Sequence, residues 1–334
     1  MARYILSIDG GGLRGLVPAL VLENLVRRIE ARAGRAVELR QLFDLVAGTG
    51  TGALIAAGLT APRKRGADTA ALSPAALADL FRRDLRRACK RRFLSRGADD
   101  GRRLEDLLDR VLPPAAMGEA LAPVLITACD LKTGAPLRLM SPAPYDWVDH
   151  DWYFRQAVRA SMATPGVFEP TLVQNAVAPR KKTAMAGGEV WAADPTLAAV
   201  SEAFARDWEH DRLFVLSLGA GEPGDLAGRD GSLAAWSAQA QSAATSLQAD
   251  HLLNRGGALQ YGRINGPLAR GADPYDASRA GLKRLEAAAG AWIVEHDRLL
   301  DGWAIRLAAR AQSGVARAPV EGAVTLKPVL AAAA

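Results

Sequence analysis

The chain has 334 residues, of which 49% are hydrophobic and 23% charged, enough apolar content to bury the core of one large domain or two small ones. The net charge of +6 is modest for this length and reads as a solvated basic face; it carries no nucleic-acid recognition motif, and nucleic acid is not an expected partner. No run approaches 18 uncharged apolar residues, no signal peptide opens the chain, and Cys89 and Cys129 lack zinc spacing, so a cytoplasmic protein with idle thiols is expected, in contact with a membrane at most peripherally.

Residues 3–8 read as a first strand, followed by the loop Asp9-Gly10-Gly11-Gly12-Leu13-Arg14-Gly15. From Leu16 to Ala33 apolar side chains recur at helical spacing, with Pro18 in the first turn and Gly34 as the stop. Phe43 to Ala47 is a second apolar run. It enters Gly48-Thr49-Gly50-Thr51-Gly52, and Ala53 to Leu59 then reads as a helix. Strand, glycine turn and helix, twice over, argue for a parallel sheet with helices on both faces. Residues 60–120 are rich in Arg, Ala and Pro, with helical patches at Ser73 to Arg92 and Arg103 to Val111, and read as an inserted helical cap. Val124 to Asp130 and Pro136 to Met140 read as partnered strands, and Trp152 to Ala163 as a helix. Phe214 to Leu218 reads as a buried strand ending at Gly219-Ala220-Gly221, and Leu282 to Ala311 as a long amphipathic helix or helix pair. One domain over 1–310 and a loose tail over 311–334 are expected.

Three consecutive glycines let the backbone turn sharply and leave N–H groups facing a cavity at a helix N-terminus. Such a loop suits a phosphate, a developing oxyanion or a plain tight turn, and the residues alone leave all three open. A Walker A loop is excluded because no Gly-Lys-Ser/Thr follows, and a dinucleotide fingerprint because the G-x-G-x-x-G spacing is missing. The second glycine turn has the frame of a hydrolase nucleophile elbow, G-x-S-x-G, with Gly50 in place of the serine.

Taken together, Ser7 to Gly15 and Phe43 to Gly52, with Arg159-Ala160-Ser161 and Leu216-Ser217-Leu218-Gly219 downstream, closely resemble the patatin-like phospholipase family. The resemblance implies a three-layer α/β fold with a mainly parallel central sheet. It also implies a serine–aspartate dyad beside an oxyanion hole, carried over here onto Gly10, Gly11, Gly12 and Arg14. The serine position falls on Gly50, in the turn of Gly48, Thr49, Thr51 and Gly52. The aspartate position falls on Gly187 counted back from Pro195, or on Ala186 counted from the paired glycines. Neither half of the dyad is present, and a hydroxyl nucleophile needs its base. Ala193 and Asp194 stand where the family has asparagines, and Ala220 where it has threonine.

Changes this widespread point to natural drift. The resemblance therefore implies a pseudoenzyme acting as a binding, scaffold or structural subunit, with another protein, or a lipid in the old acyl groove, as its partner. The alternative is a phospholipase A or lipid acyl hydrolase, its dyad replaced deliberately or its nucleophile non-standard. Thr49 and Thr51 are the candidate substitute nucleophiles, and Glu189 and Asp194 the candidate bases. Neither a metal nor a cofactor is expected. A last feature is the basic run Arg82, Arg83, Arg86, Arg87, Lys90 and Arg91. On a continuous α-helix it forms one stripe, either a solvated face or a docking surface for anionic lipid, phosphate or an acidic partner.

Overall fold

The computed structural model describes residues 1–89, 99–141, 151–178, 180–208, 210–222, 233–254, 259–268 and 273–313, with the backbone alone over 233–242. The tail expected over 311–334 lies outside the described residues beyond position 313, as do Lys90 and Arg91.

The eight strands are β1 (Ala2–Ile8), β2 (Leu45–Gly48), β3 (Val124–Asp130), β4 (Pro136–Ser141), β5 (Thr171–Gln174), β6 (Lys182–Gly187), β7 (Arg212–Leu218) and β8 (Leu259–Ile264). They form one sheet in the order β5-β6-β3-β2-β1-β7-β8, with β4 added against β3. The centre is parallel: β1 pairs with β2 and β7, β2 with β3, and β7 with β8. The β4 and β6 pairings to β3, and β5 to β6, are antiparallel.

Side-chain alternation along β1 explains the layering. Leu6 and Ile8 enter a large core with the helices α1 (Leu16–Ala33), α2 (Thr51–Thr60), α3 (Pro74–Leu80), α10 (Arg279–Glu295) and α11 (Asp297–Gln312). Ile5, one residue out of phase, enters a smaller core with Ala199 and Val200 of α8 (Thr196–Ala205) and Ala249 and Leu253 of α9 (Leu233–Leu253). The fold is therefore three-layer α/β. Helix α1 ends where its sequence dictates, at Gly34, which takes the left-handed φ of 69° and donates its N–H to Glu30 O. The C-terminal helix α11 is tied back to the sheet by Arg310, which grips Asp44 with two hydrogen bonds at 2.6 and 2.8 Å.

The basic run departs from its expected form. After α3 the chain makes a π-helical turn over Phe81–Leu85 and a short α4 (Arg86–Ala88), so the stripe is not carried on a continuous α-helix. Arg82 is bound to Glu286 of α10 at 2.7 Å and to Asp79 at 3.3 Å, and Arg83 reaches Asp79 at 3.6 Å. Arg83 and Arg87 are exposed, while Arg82 and Arg86 are partly covered.

Candidate functional site

Two glycines of the second turn are required by backbone approach alone. A methyl on Gly52 would meet the Ile8 and Asp9 carbonyl oxygens at the end of β1, and one on Gly48 would meet the backbone of Gly52 and Ala53. Between them Gly50 takes φ 56° and ψ −121°, a left-handed conformation that strains any residue with a side chain. That is the bend of a nucleophile elbow, built at the junction of β2 and α2. The Gly50 N–H donates to Ser161 Oγ at 2.8 Å, so the serine of the Arg-Ala-Ser segment supports the turn from the end of α6 (Phe154–Ser161). Arg159 of the same segment is buried, with Glu105 of α5 (Arg102–Val111) at 3.0 Å and the Glu169 carbonyl at 3.1 Å.

The neighbouring hydroxyls are committed elsewhere. Thr49 Oγ1 donates to Ala192 O at 2.6 Å and shares a 2.7 Å hydrogen bond with Thr127 Oγ1, and Thr51 Oγ1 donates to Gly12 O at 2.9 Å. All three threonines are buried.

The two aspartate-position candidates face opposite ways. Strand β4 takes one edge of β3 over Val124–Cys129, so β6 pairs with Ala128–Asp130 along the β2 edge, just past the point where β2 ends against Ile126. A side chain on Gly187 would point at the Ser161–Ala163 backbone, 3.0 to 3.2 Å away, beneath the elbow. Ala186, the next residue along the strand, projects from the other face.

Space decides what this arrangement can do. Glu189, at the start of the short α7 (Glu189–Ala192), keeps part of its surface in solvent but turns its carboxyl inward. A methyl on Gly50 would lie 2.5 Å from Glu189 Oε1, and one on Gly10 only 2.6 Å from it. The carboxyl thus stands where a serine side chain would project. Its Oε2 accepts from Thr164 Oγ1 at 2.9 Å. Burial pushes it above the ordinary glutamate range, against the opposing pull of the Thr164 hydroxyl and the Arg14 guanidinium. Tyr275 closes the space from the other side, beside Gly12, and the Pro274 carbonyl accepts from the Leu13 N–H at 2.7 Å. What remains between Gly12, Gly50, Glu189 and Tyr275 is a cavity of about 10 Å³, room for one water at most. Cys89 lines it, its thiol pushed up to about 12 by burial.

The glycine loop is also partly spent. The Gly10 N–H donates to Ala193 O at 2.9 Å and is therefore not free for an oxyanion. Gly12 takes φ 59° under the Pro274 carbonyl, and Arg14 folds back so that its Nε donates to Gly11 O at 3.2 Å. Asp9 and Asp194 join a buried cluster on the opposite side of the loop. Arg263 of β8 contacts Asp9 at 2.6 Å and Asp194 at 3.0 Å, and it donates to Ser217 Oγ at 2.6 Å. Asp194 also accepts from the Thr196 N–H at 2.9 Å and Ser246 Oγ at 3.1 Å, which makes it a structural acceptor rather than a free base.

The sequence matches the patatin-like phospholipase family over residues 6–200, which includes both glycine turns, Gly187 and Glu189. The chain belongs to that family. Similar curated proteins include Patatin-like protein 7 of Arabidopsis thaliana, 28% identical over 70% of this chain and 51% of that protein. Patatin-like protein 2 of the same plant is 30% identical over 65% of this chain and 59% of its own length. Probable inactive patatin-like protein 9, also from Arabidopsis thaliana, is 32% identical over 65% and 60% respectively. This patatin-like chain thus spans between half and three fifths of the length of these relatives. Among solved structures, VipD from Legionella pneumophila aligns with 93% of the chain and 74% of its own, at 11% identity and a TM-score of 0.38. Among the described residues no helix is long and apolar enough to cross a membrane.

The sequence marked the two turns but not what fills them. Glu189 entered only as a candidate base, and Arg263 and Tyr275 gave no signal. Both lie far along the chain in segments without a recognisable motif, and only the fold brings them to the loop.

Proposed function

We propose that this protein is a catalytically silent member of the patatin-like family, acting as a binding or structural subunit. The observation that carries the reading is the Glu189 carboxyl standing in the space of a serine side chain at Gly50, with about 10 Å³ left beside it. An acyl chain and its ester cannot enter a space that holds one water. A missing nucleophile alone costs on the order of 10⁶ in kcat in a serine hydrolase. A filled pocket also withdraws the binding that would otherwise leave a residual rate of about 10³ to 10⁴ over water. A relative whose name carries "probable inactive" is compatible with this reading. The threonines do not favour the enzymatic alternative, because both hydroxyls beside Gly50 are spent on backbone carbonyls.

The test is ester hydrolysis by the purified chain on short- and long-chain acyl esters, with a fluorophosphonate probe read by peptide mass mapping. No turnover above the uncatalysed rate and no labelled peptide are expected. Turnover accompanied by labelling at Thr49, Thr51 or another hydroxyl would overturn the reading.

A further inference from the structure

While the elbow side of the glycine loop is filled, the other side is open. A cavity of about 540 Å³ lies against Asp9, within the range of about 300–1,000 Å³ usual for small-molecule pockets. Its position follows from the topology. The chain runs from β1 through β2 to β3 in one direction and reaches β7 and β8 in the other, so the strand order reverses between β1 and β7. In open α/β sheets the crevice beyond the carboxyl ends of strands at such a reversal is the usual place for a ligand. Here its floor is Asp9 after β1, Gly221 after β7 and Asn265 after β8.

Helix α9 supplies the opposite wall. Ser246, Asp250 and Asn254 are spaced four apart and Leu247 lies three before Asp250, so they present one face. Tyr261 and Arg263, two apart on β8, face the same way.

The lining has a definite chemistry. Arg263 is already matched by Asp9 and Asp194, so it offers no positive charge to an incoming anion. Asp250 and Glu222 have no ion-pair partner among the described residues. Among the described residues the lining is therefore negative on balance. The phenol oxygen of Tyr261 is buried within reach of the Ser217 hydroxyl but makes no well-formed hydrogen bond, so its desolvation is poorly compensated. Asn265 spends its amide oxygen on the Gly221 N–H at 3.0 Å, which leaves its amide N–H groups as donors. A ligand suited to these walls brings one cationic nitrogen for the carboxylates and hydroxyl or amine groups for the phenol and the amides.

We propose that this cavity binds a small polar molecule carrying a primary ammonium group, with Asp250 as its counter-ion. An aliphatic polyamine and an amino sugar share that chemistry, and they differ in whether hydroxyls contribute. The site makes no use of Gly50 or Glu189 and stands apart from the silent-enzyme reading.

Isothermal titration of the full chain with spermidine, glucosamine, glucose and inorganic phosphate tests it. Saturable binding of spermidine or glucosamine is expected, at least about tenfold tighter than glucose, the scale of one charge-assisted hydrogen bond. Tighter glucosamine assigns the hydroxyl-bearing source and tighter spermidine the aliphatic one. Asp250→Asn should weaken the preferred amine by about tenfold. Leu247→Trp, at an exposed position on the wall, should block entry while leaving the thermal midpoint unchanged. Amines that bind no better than glucose, phosphate that binds best, or affinity unchanged in both variants would overturn the proposal. The titration reads neither ester turnover nor probe labelling, so each proposal can fail while the other stands.

Discussion

The loop Asp9–Gly12 has a cavity on each side, and the two differ about fiftyfold in size: about 10 Å³ beneath the elbow against about 540 Å³ beyond β7 and β8. The first is closed by side chains, Glu189 and Tyr275, over a turn whose backbone keeps its bend. The second is bounded by a buried ion cluster in which the single positive charge of Arg263 is answered by Asp9 and Asp194. The contrast separates two things that a functional turn combines. The bend at Gly50 is demanded by the close approach of β1, β2 and α2 through Gly48 and Gly52, so it persists without any reaction to serve. The room for a substrate depends largely on side chains, and here it is lost mainly to Glu189 and Tyr275.

The largest expected effect breaks the open side. Arg263 sits between Asp9 and Asp194, and replacing it with a neutral residue leaves two buried carboxylates facing each other. Arg263→Met should cost about 3–5 kcal/mol in urea unfolding, the usual result of removing one partner from a buried ion pair. Adding Asp9→Asn and Asp194→Asn should return much of that loss, because the uncompensated charges go with them. A cost below about 1 kcal/mol for the single variant would mean that water reaches the cluster freely.

The next effect reopens the closed side. Gly50→Ser places a side chain at φ 56° and against Glu189 Oε1, so strain of about 1–3 kcal/mol and overpacking of similar size should both appear. Glu189→Ala in the same chain removes the second term, and the two substitutions should couple by about 0.5–3 kcal/mol in a double-mutant cycle. Gly187→Asp then completes the dyad, provided that the Ser161–Ala163 backbone yields a few tenths of an ångström to the new Cβ. Esterase activity is expected from the three substitutions together, and none from Gly50→Ser with Gly187→Asp alone. Equal activity with and without Glu189→Ala would show that Glu189 is not what fills the site.

Much of this was legible in the sequence where local physics sets the outcome. Helix α1 ends at the glycine that can take a left-handed φ, and β1 enters its loop where three glycines permit it. The three-layer architecture followed from strand, glycine turn and helix repeating at the right spacing. Strand β6, Lys-Thr-Ala-Met-Ala-Gly, was not legible, because small and polar residues give no alternation until β3 and β5 pair with it. The π-helical turn at Phe81–Leu85 was not legible either. An i, i+3, i+4 pattern presumes α geometry, and here the pairing of Arg82 with Glu286, some 200 residues on, accompanies a different one. Glu189 was visible as a residue but not as an occupant, since occupancy depends on the distance between two turns that never meet in the chain.

The smallest effect tests whether that occupant is enclosed. Burial holds the Glu189 carboxyl above the ordinary glutamate range, so folding takes up a proton in the interval between the two values. The stability this group contributes is fully present below the ordinary range and is lost as pH rises through the raised value. Glu189→Gln preserves the shape and an acceptor for Thr164 while removing the titration. The variant should match the parent in acid and gain on it steadily as the pH is raised, in urea midpoints measured across that interval. Asp9 does not confuse the comparison. Burial, outweighing the pull of Arg263, pushes it from 3.8 up to about 7, so its own decline falls in the same direction but is common to both proteins and cancels in the difference. A difference that stays flat with pH would mean that Glu189 ionises as it does in water. Its carboxyl would then be hydrated, the space beneath the elbow open, and the contrast between the two sides of the loop one of shape but not of access.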